Sequence, residues 1–351
     1  PPRSTLFPYT TLFRSQFSKE LSAVNPAGDL PQVVKTQDVY QQAEWCVRTV
    51  DHLVARGLAL HRIAVLFRSR YHAVETEMAL VRQGIPYIIR GGVRFFEQAH
   101  IKDVVAYLKM RGNPRDEIAF KRVMKLQRGI STGYAEKIWQ RVQNGDSFSA
   151  IVTTLPARAR EGFNQFLKVY QRIETLDDPA QIISVVLEQF YTEYGKLTFD
   201  DYQDRMLELE ELAKVAEQFG TLKNFLADLS TYENFKGEKA TGTVAPHDVL
   251  VLSTIHQAKG LEWDAVLIIG CAQGSFPGPK SIDEGAIEEE RRLFYVAVTR
   301  AKKKLFVLYP VMRYTSSGGL LYSRPSLFLE ELPPQSYTAV DCSGDLSPSL
   351  S

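Results

Sequence analysis

The chain has 351 residues, 44% apolar and 24% charged, with a formal net charge of +1. These proportions are those of ordinary soluble globular proteins and exclude a wholly disordered, collagenous or membrane-spanning chain, while the length fits one large domain or two ordinary ones. A near-neutral total also excludes a protein coated uniformly in basic residues, so any polyanion-binding surface has to be local.

In chain order, the first fifteen residues are peculiar. Arg3-Ser4-Thr5-Leu6-Phe7 is echoed in near-reverse block order by Thr11-Leu12-Phe13-Arg14-Ser15 around Pro8-Tyr9. This reads as translated cloning or adapter sequence, with an apolar part too short for a signal peptide. Residues 1–24 are set apart as an artefactual or disordered leader.

From Pro31 short β-branched runs alternate with longer helical ones, the pattern of an α/β sheet with crossover helices. Gln32 to Thr36 reads as a strand and Val39 to Ala55 as a helix ended by Gly57. Ile63 to Phe67 is a second strand, followed by a helix from Tyr71 to Gln83 that Gly84 terminates. Pro86 to Ile89 is a short third strand, and Phe96 to Met110 a helix broken by Gly112-Asn113-Pro114. Beyond Pro114 strand signal almost vanishes, and helical spacing takes over, as in Leu209, Leu212, Ala213 and Ala216. Strand texture returns at Val249 to Leu252, at Ala265 to Ile269 and, after a helix from Glu288 to Ala301, at Leu305 to Tyr309. The predicted organisation is a sheet domain whose first part spans 25–111 and second part 247–333, interrupted by an all-helical insertion at 112–246. The serine-rich stretch 334–351 lacks periodicity and is expected to be disordered.

Cys46, Cys271 and Cys342 have no CxxC spacing and no histidine at zinc-ligand spacing, so they read as reduced and no metal site is expected. The longest apolar runs are far too short to cross a bilayer, which makes no membrane partner and a cytoplasmic location the expectation. Charge is uneven: Arg90 to Arg128 holds ten Lys/Arg and four Asp/Glu, whereas Phe199 to Glu217 holds seven acids and two bases. The basic stretch reads either as a solvated helix surface or as a phosphate-binding one.

A phosphate-cradling G-x-x-x-x-G-K-[ST] loop is absent from the sequence. Its near miss, Gly274 to Ser281, has glycines one residue too close, and Pro279 removes an amide that phosphates would need. Asp283-Glu284 follows no apolar strand and does not read as a magnesium-holding pair. Two other stretches are far more specific. In Thr254-Ile-His256-Gln-Ala-Lys259-Gly260-Leu261-Glu262-Trp263, polar groups cluster at the end of a buried strand, where parallel sheets place ligands. In Glu288-Glu289-Glu290-Arg291-Arg292-Leu293-Phe294-Tyr295-Val296-Ala297-Val298-Thr299-Arg300-Ala301, three acids suit a helix N-terminus, and Leu293, Val296 and Ala297 form a core-facing stripe.

Together these stretches strongly resemble motifs V and VI of superfamily 1 DNA helicases of the UvrD/Rep/PcrA type, in both order and spacing. Leu66-Phe67-Arg68-Ser69, Ile85-Pro86-Tyr87, Gly91-Gly92-Val93-Arg94-Phe95-Phe96 and Ile101-Lys102-Asp103 extend the resemblance, which covers Asp29 to Leu332. It implies a second RecA-like lobe of P-loop NTPase type, a parallel sheet flanked by helices, interrupted by an all-α accessory domain. It further implies that Arg300 reaches the ATP γ-phosphate as the catalytic arginine, that Glu262 accepts from the nucleotide ribose, and that Gly260 lets backbone approach the nucleotide. Thr254 and His256 would face single-stranded DNA, with Arg94 a further contact whose alternative is a salt bridge to Glu97. Arg291 and Arg292 are placed equally in a nucleotide role or in pairs with neighbouring glutamates, and Tyr295 in the core or cleft wall. In the accessory domain, Gln127-Arg128-Gly129-Ile130-Ser131 occupies the place of a Gly-Ile-Gly turn that meets duplex DNA through Gly129 and Ile130, with the last glycine replaced.

The family's phosphate loop, magnesium-binding acids and base-stacking aromatics are not in this sequence. The resemblance therefore implies the C-terminal half of an ATP-dependent 3′→5′ helicase of DNA repair or replication, cytoplasmic and nucleoid-associated in a bacterial-type cell. The intact parent would use ATP and Mg2+ and engage single-stranded and duplex DNA together with the N-terminal RecA-like lobe, while this chain alone would be inactive. The alternatives are the helicase part of a RecB/AddA-like helicase-nuclease and a non-catalytic DNA-binding module.

Overall fold

The computed structural model describes residues 28–235, 248–314 and 320–343, so the expected leader at 1–24 and the end of the tail at 344–351 lie outside the described residues. Two compact units are present: Phe95–Asn234 forms one, and the described residues on either side of it form the other.

The flanking unit is built on β1 (Gln32–Thr36), β2 (Ile63–Phe67), β3 (Tyr87–Arg90), β4 (Leu250–Thr254), β5 (Trp263–Ile268), β6 (Ala301–Pro310) and β9 (Thr338–Asp341). They form one sheet in the order β3-β4-β2-β5-β6-β1-β9. Every neighbouring pair is parallel, with Phe67 opposite Thr254, Ile63 opposite Ala265 and Val33 opposite Val307. β2 and β5 are buried along their whole length, as parallel strands covered on both faces are; β2 is apolar throughout, whereas β5 carries Asp264, paired with Arg62 at 2.7 Å. A small antiparallel pair, β7 (Met312–Tyr314) and β8 (Leu320–Tyr322), stands apart from the sheet.

Local chemistry sets the helix ends. Asp38 caps Val39–Ala55 by accepting from the amides of Tyr40 at 3.0 Å and Gln41 at 2.9 Å. Gly57, at φ +89°, then turns the chain out of the helix. The helix Ile287–Val298 lays Leu293, Phe294 and Ala297 into the core, where Phe294 stacks on Phe328 at 5.4 Å and meets Phe276 edge-on at 5.9 Å.

Phe95–Asn234 is wholly helical and carries a buried polar lattice. His100 Nε2 lies 2.7 Å from Glu208, and Arg205 donates to His100 Nδ1 at 3.1 Å. Asp103 accepts from Arg122 and from the Tyr191 hydroxyl, both at 2.7 Å, while Gln127 donates to the Tyr107 hydroxyl at 3.0 Å. These contacts correct the expected boundary at residue 112. The helix Ala99–Gly112 belongs to the helical unit, because its inward residues His100, Asp103 and Tyr107 find their partners there. Gly112-Asn113-Pro114 does end that helix, but a local break does not determine which core the helix joins. The expected end of the insertion at 246 falls outside the described residues.

The expectation of disorder throughout 334–351 is also corrected. Pro334–Ser336 forms a 3-10 turn and Thr338–Asp341 adds β9 to the edge of the sheet, with Val34 opposite Val340. An edge strand with a mostly exposed pattern has no apolar periodicity to announce it. The basic stretch from Arg90 to Arg128 runs from one unit into the other, with Arg90 and Arg94 in the first and the rest in the helical unit. Within the helical unit Lys109 pairs with Glu233, Lys121 with Glu117 and Glu136, and Arg122 with Asp103. These pairs support the solvated-helix reading.

Candidate functional site

Strand direction separates the candidate residues into two clusters. Thr254 ends β4, level with Phe67 at the end of β2, so Thr254, His256, Arg68 and Arg90 gather at the carboxyl edge of the sheet. The chain then crosses to the start of β5, and Gly260, Glu262 and Arg300 lie at the amino edge, where the Trp263 amide donates to the Arg300 carbonyl at 2.9 Å. Four to five residues of strand put these edges roughly 13 to 16 Å apart. The ten-residue stretch Thr254–Trp263 is thus not a single strand-end site: its first half lies at one edge and its second half at the other.

At the carboxyl edge, the Ile255 amide donates to the Phe67 carbonyl at 3.0 Å and locks the β4 end against the β2 end. The Thr254 hydroxyl accepts from the Gln257 amide at 3.4 Å, capping the turn that presents exposed His256. The His256 imidazole is held below its ordinary pKa chiefly by partial burial and also by the Arg68 charge, with Glu290 and Glu289 opposing. Arg68 makes a bidentate pair with Glu290, its Nε at 3.0 and 2.9 Å from the two oxygens and its Nη2 at 2.7 Å. Glu290 is 2% exposed and also accepts from the Ser281 hydroxyl at 3.0 Å.

The neighbouring turn is shaped by two glycines. A Cβ on Gly91, at φ +79°, would meet the Gln257 side chain at 2.6 Å, and the Arg70 guanidinium packs against Gly92 while donating to the Val93 carbonyl. Arg94, expected at DNA or paired with Glu97, donates to the Phe235 carbonyl and lies over the Phe235 ring at 5.9 Å. The structure therefore places Arg94 in the frame of this turn.

At the amino edge, Arg300 is half-buried and its fork is directed by its own chain. Nε donates to the Val296 carbonyl, Nη1 to the Leu261 carbonyl and Nη2 to the Thr299 hydroxyl, each at 2.9 Å. The remaining N–H groups of the guanidinium are left for a ligand. Glu262 is exposed and lies 3.3 Å from Lys302. Gly260 adopts φ +84° with open space around the position of a Cβ, a conformation that side chains rarely take. These three residues suit a polyphosphate nucleotide: a directed guanidinium, an exposed acceptor for hydroxyls and an unobstructed main chain. Arg291 and Arg292 pair with Glu288 at 3.2 Å and Glu289 at 3.1 Å, and Arg291 also reaches Glu331 and covers the Phe328 ring. This is the glutamate-pairing alternative of the two expected for them.

In the helical unit, Gly129 adopts φ +79° and Ile130 is 5% exposed, its amide donating to the Gln127 carbonyl at 3.1 Å. Ile130 thus packs into the core of the helical unit while its amide closes the turn. Arg128 and Ser131 are the exposed members. The replaced glycine has a local reason: Ser131 is the N-cap of Thr132–Gln143, its hydroxyl accepting from the Tyr134 amide at 3.4 Å. Nothing in the linear spacing singles out Glu290 or Gln257 as partners of Arg68 and Gly91. Arg68 itself is signalled in the sequence by its place in Leu66-Phe67-Arg68-Ser69 and as a charged residue directly after a wholly apolar strand.

Among the described residues, no group of three or more His, Cys, Asp or Glu side chains could hold a metal ion. No described helix is long and apolar enough to cross a membrane.

Residues 9–311 match the model of the UvrD-like helicase C-terminal domain, so the likeness begins inside the stretch set apart as a leader. The chain is 34% identical over 314 residues to DNA helicase II of Salmonella typhimurium, covering 84% of this chain and 43% of that protein. It is 34% identical to DNA helicase II of Escherichia coli over the same shares, and 31% identical over 340 residues to the ATP-dependent DNA helicase PcrA of Bacillus subtilis, with 90% and 45% covered. The chain thus spans a little under half the length of these relatives. With the parallel sheet, the two motif-bearing edges and a match over most of its length, the chain belongs to the UvrD-like helicase C-terminal domain family.

Proposed function

We propose that this chain is the C-terminal portion of an ATP-dependent 3′→5′ DNA helicase of repair or replication, contributing the second RecA-like lobe and its helical accessory domain. The reading rests on one observation above all: a single sheet carries a nucleotide-suited cluster at one edge and a phosphate-suited cluster at the other. The helix Ile287–Val298 runs between them, with Glu290 in its first turn and Arg300 two residues beyond its end.

In this reading Glu262 accepts a ribose hydroxyl, Gly260 leaves the main chain open to the nucleotide, and Arg300 offers its remaining N–H groups to the γ-phosphate. ATP, with Mg2+ held by residues of the partner lobe, supplies the energy of phosphoanhydride hydrolysis. A guanidinium already fixed by three hydrogen bonds loses little freedom when it meets developing phosphoryl charge, and such an arginine is worth about 10³-fold or more in rate. Thr254 and His256 contact sugar and phosphate rather than base edges, as sequence-independent translocation requires. Within the helical unit, the Arg128–Ser131 turn is the duplex-facing element, through Arg128, the Gly129 main chain and Ser131. Because its 351 residues contain no G-x-x-x-x-G-K-[ST] loop, the chain alone is expected to hydrolyse no ATP.

Two measurements test this. Arg300→Ala in the full-length protein should abolish single-strand-stimulated ATP hydrolysis while leaving oligonucleotide affinity within about twofold, and equal hydrolysis by the variant would overturn the assignment. Single-strand-stimulated ATPase activity of the purified chain would overturn the claim that it is inactive alone.

A further inference from the structure

Glu290 is the most buried acid at the carboxyl edge, yet its partner ends at the surface. Its two oxygens take the Nε and Nη2 of Arg68, 222 positions away, and one of them also accepts from Ser281. Arg68 follows Phe67, the residue paired with Thr254, and its charge is felt at His256. A buried ion pair is a poor way to gain stability, because desolvation of both groups consumes most of the attraction. It is an effective way to fix a guanidinium, whose planar fork matches a carboxylate and whose flexible stem otherwise samples many rotamers.

Resting on the single-strand reading of this edge, we propose that Glu290 is a positioning residue: it clamps the Arg68 guanidinium beside Thr254 and His256 so that Arg68 meets a backbone phosphate of single-stranded DNA. The acid contributes to polyanion binding although its own charge opposes it. The two effects have opposite signs, which makes the proposal testable on the chain as it exists.

The experiment is fluorescence anisotropy with a labelled oligothymidylate of about twenty nucleotides across a salt series. By charge alone, Glu290→Gln removes a negative group near phosphate and should tighten binding. Positioning predicts the reverse, a loss of about threefold or more, with the salt slope falling by about one as a phosphate contact is lost. Glu290→Asp keeps the charge but withdraws the carboxylate by one methylene, and it should weaken binding similarly. In an Arg68→Ala background, Glu290→Gln should cause no further loss, since the residue it positions is gone. Weakened binding by Arg68→Ala beside unchanged or tighter binding by both Glu290 variants would overturn the inference and leave the single-strand reading intact. No effect of Arg68→Ala would overturn it as well. Failure of the wild-type chain to bind the oligonucleotide would overturn the single-strand reading and the inference together. Loss of cooperative folding in both Glu290 variants would overturn it by making the pair purely structural.

Discussion

Seating of the Gln127–Ser131 turn on the helix Ala157–Ile173 depends on the absence of one methyl group. A Cβ on Gly162 would lie 2.2 Å from the Arg128 carbonyl oxygen and 3.0 Å from the Arg128 nitrogen. Ordinary carbon–oxygen contacts are about 3.3 Å or longer, so Gly162→Ala has to push the turn away by roughly 1 Å. The turn cannot yield easily, because Gly129 already sits where a Cβ would be 2.6 Å from the Arg158 carbonyl oxygen. Alanine in mid-helix gains about 1 kcal/mol over glycine. Overpacking costs about 1–3 kcal/mol, and an obstructing main-chain atom puts this site at or above the top of that range. The net expectation is a destabilisation of about 2 kcal/mol. Gly195, in Thr192–Thr198, is the matched control: its nearest obstacle is the mobile Cε of Met206 at 3.4 Å. Gly195→Ala should therefore stabilise by about 0.5–1 kcal/mol. Urea titrations followed by far-ultraviolet circular dichroism should move the two midpoints in opposite directions. A Gly162→Ala variant as stable as the wild type would refute the close-seating argument.

Three further outcomes follow from burial and charge. The folded His256 lies below its ordinary value of 6.5, so its contribution to stability is complete above that value and is lost as pH falls through the folded value. A nearby phosphate favours the imidazolium, so oligonucleotide affinity should rise as pH drops from about 8 to about 5.5, and a His256→Gln variant with the same pH profile would sink this assignment. Burial pushes the Cys46 and Cys271 thiols well up, so neither should react with a thiol reagent until the chain is unfolded; rapid labelling in buffer would contradict the packing. Phe294→Ala should cost about 3–5 kcal/mol because it empties the space between Phe276 and Phe328, and a thermal-melt loss below about 1 kcal/mol would show that the cluster collapses freely.

Where local structure is set by a residue's immediate neighbours, the sequence is a reliable guide. The first two strands and the helix between them fall at the expected residues, because Asp38 and Gly57 punctuate the chain locally, Val33-Val34 marks the first strand and the doubly covered second strand is apolar throughout. The surroundings of Ile130 and Arg94, by contrast, come from chain segments far away, the core of the helical unit and the Phe235 carbonyl.

The amino-acid sequence by itself thus determined the α/β class, the presence of a helical region and the residue types available for chemistry, because periodicity, capping and chain punctuation act over a few residues. Only the tertiary structure decided that the Ala99–Gly112 helix joins the helical unit, that Thr338–Asp341 completes the sheet edge and that one motif serves two opposite edges. It alone brought Glu290 to Arg68 and directed the Arg300 fork with carbonyls from two separate segments. Such partnerships form only once the chain has closed its long loops, and no local pattern encodes which buried group will meet which.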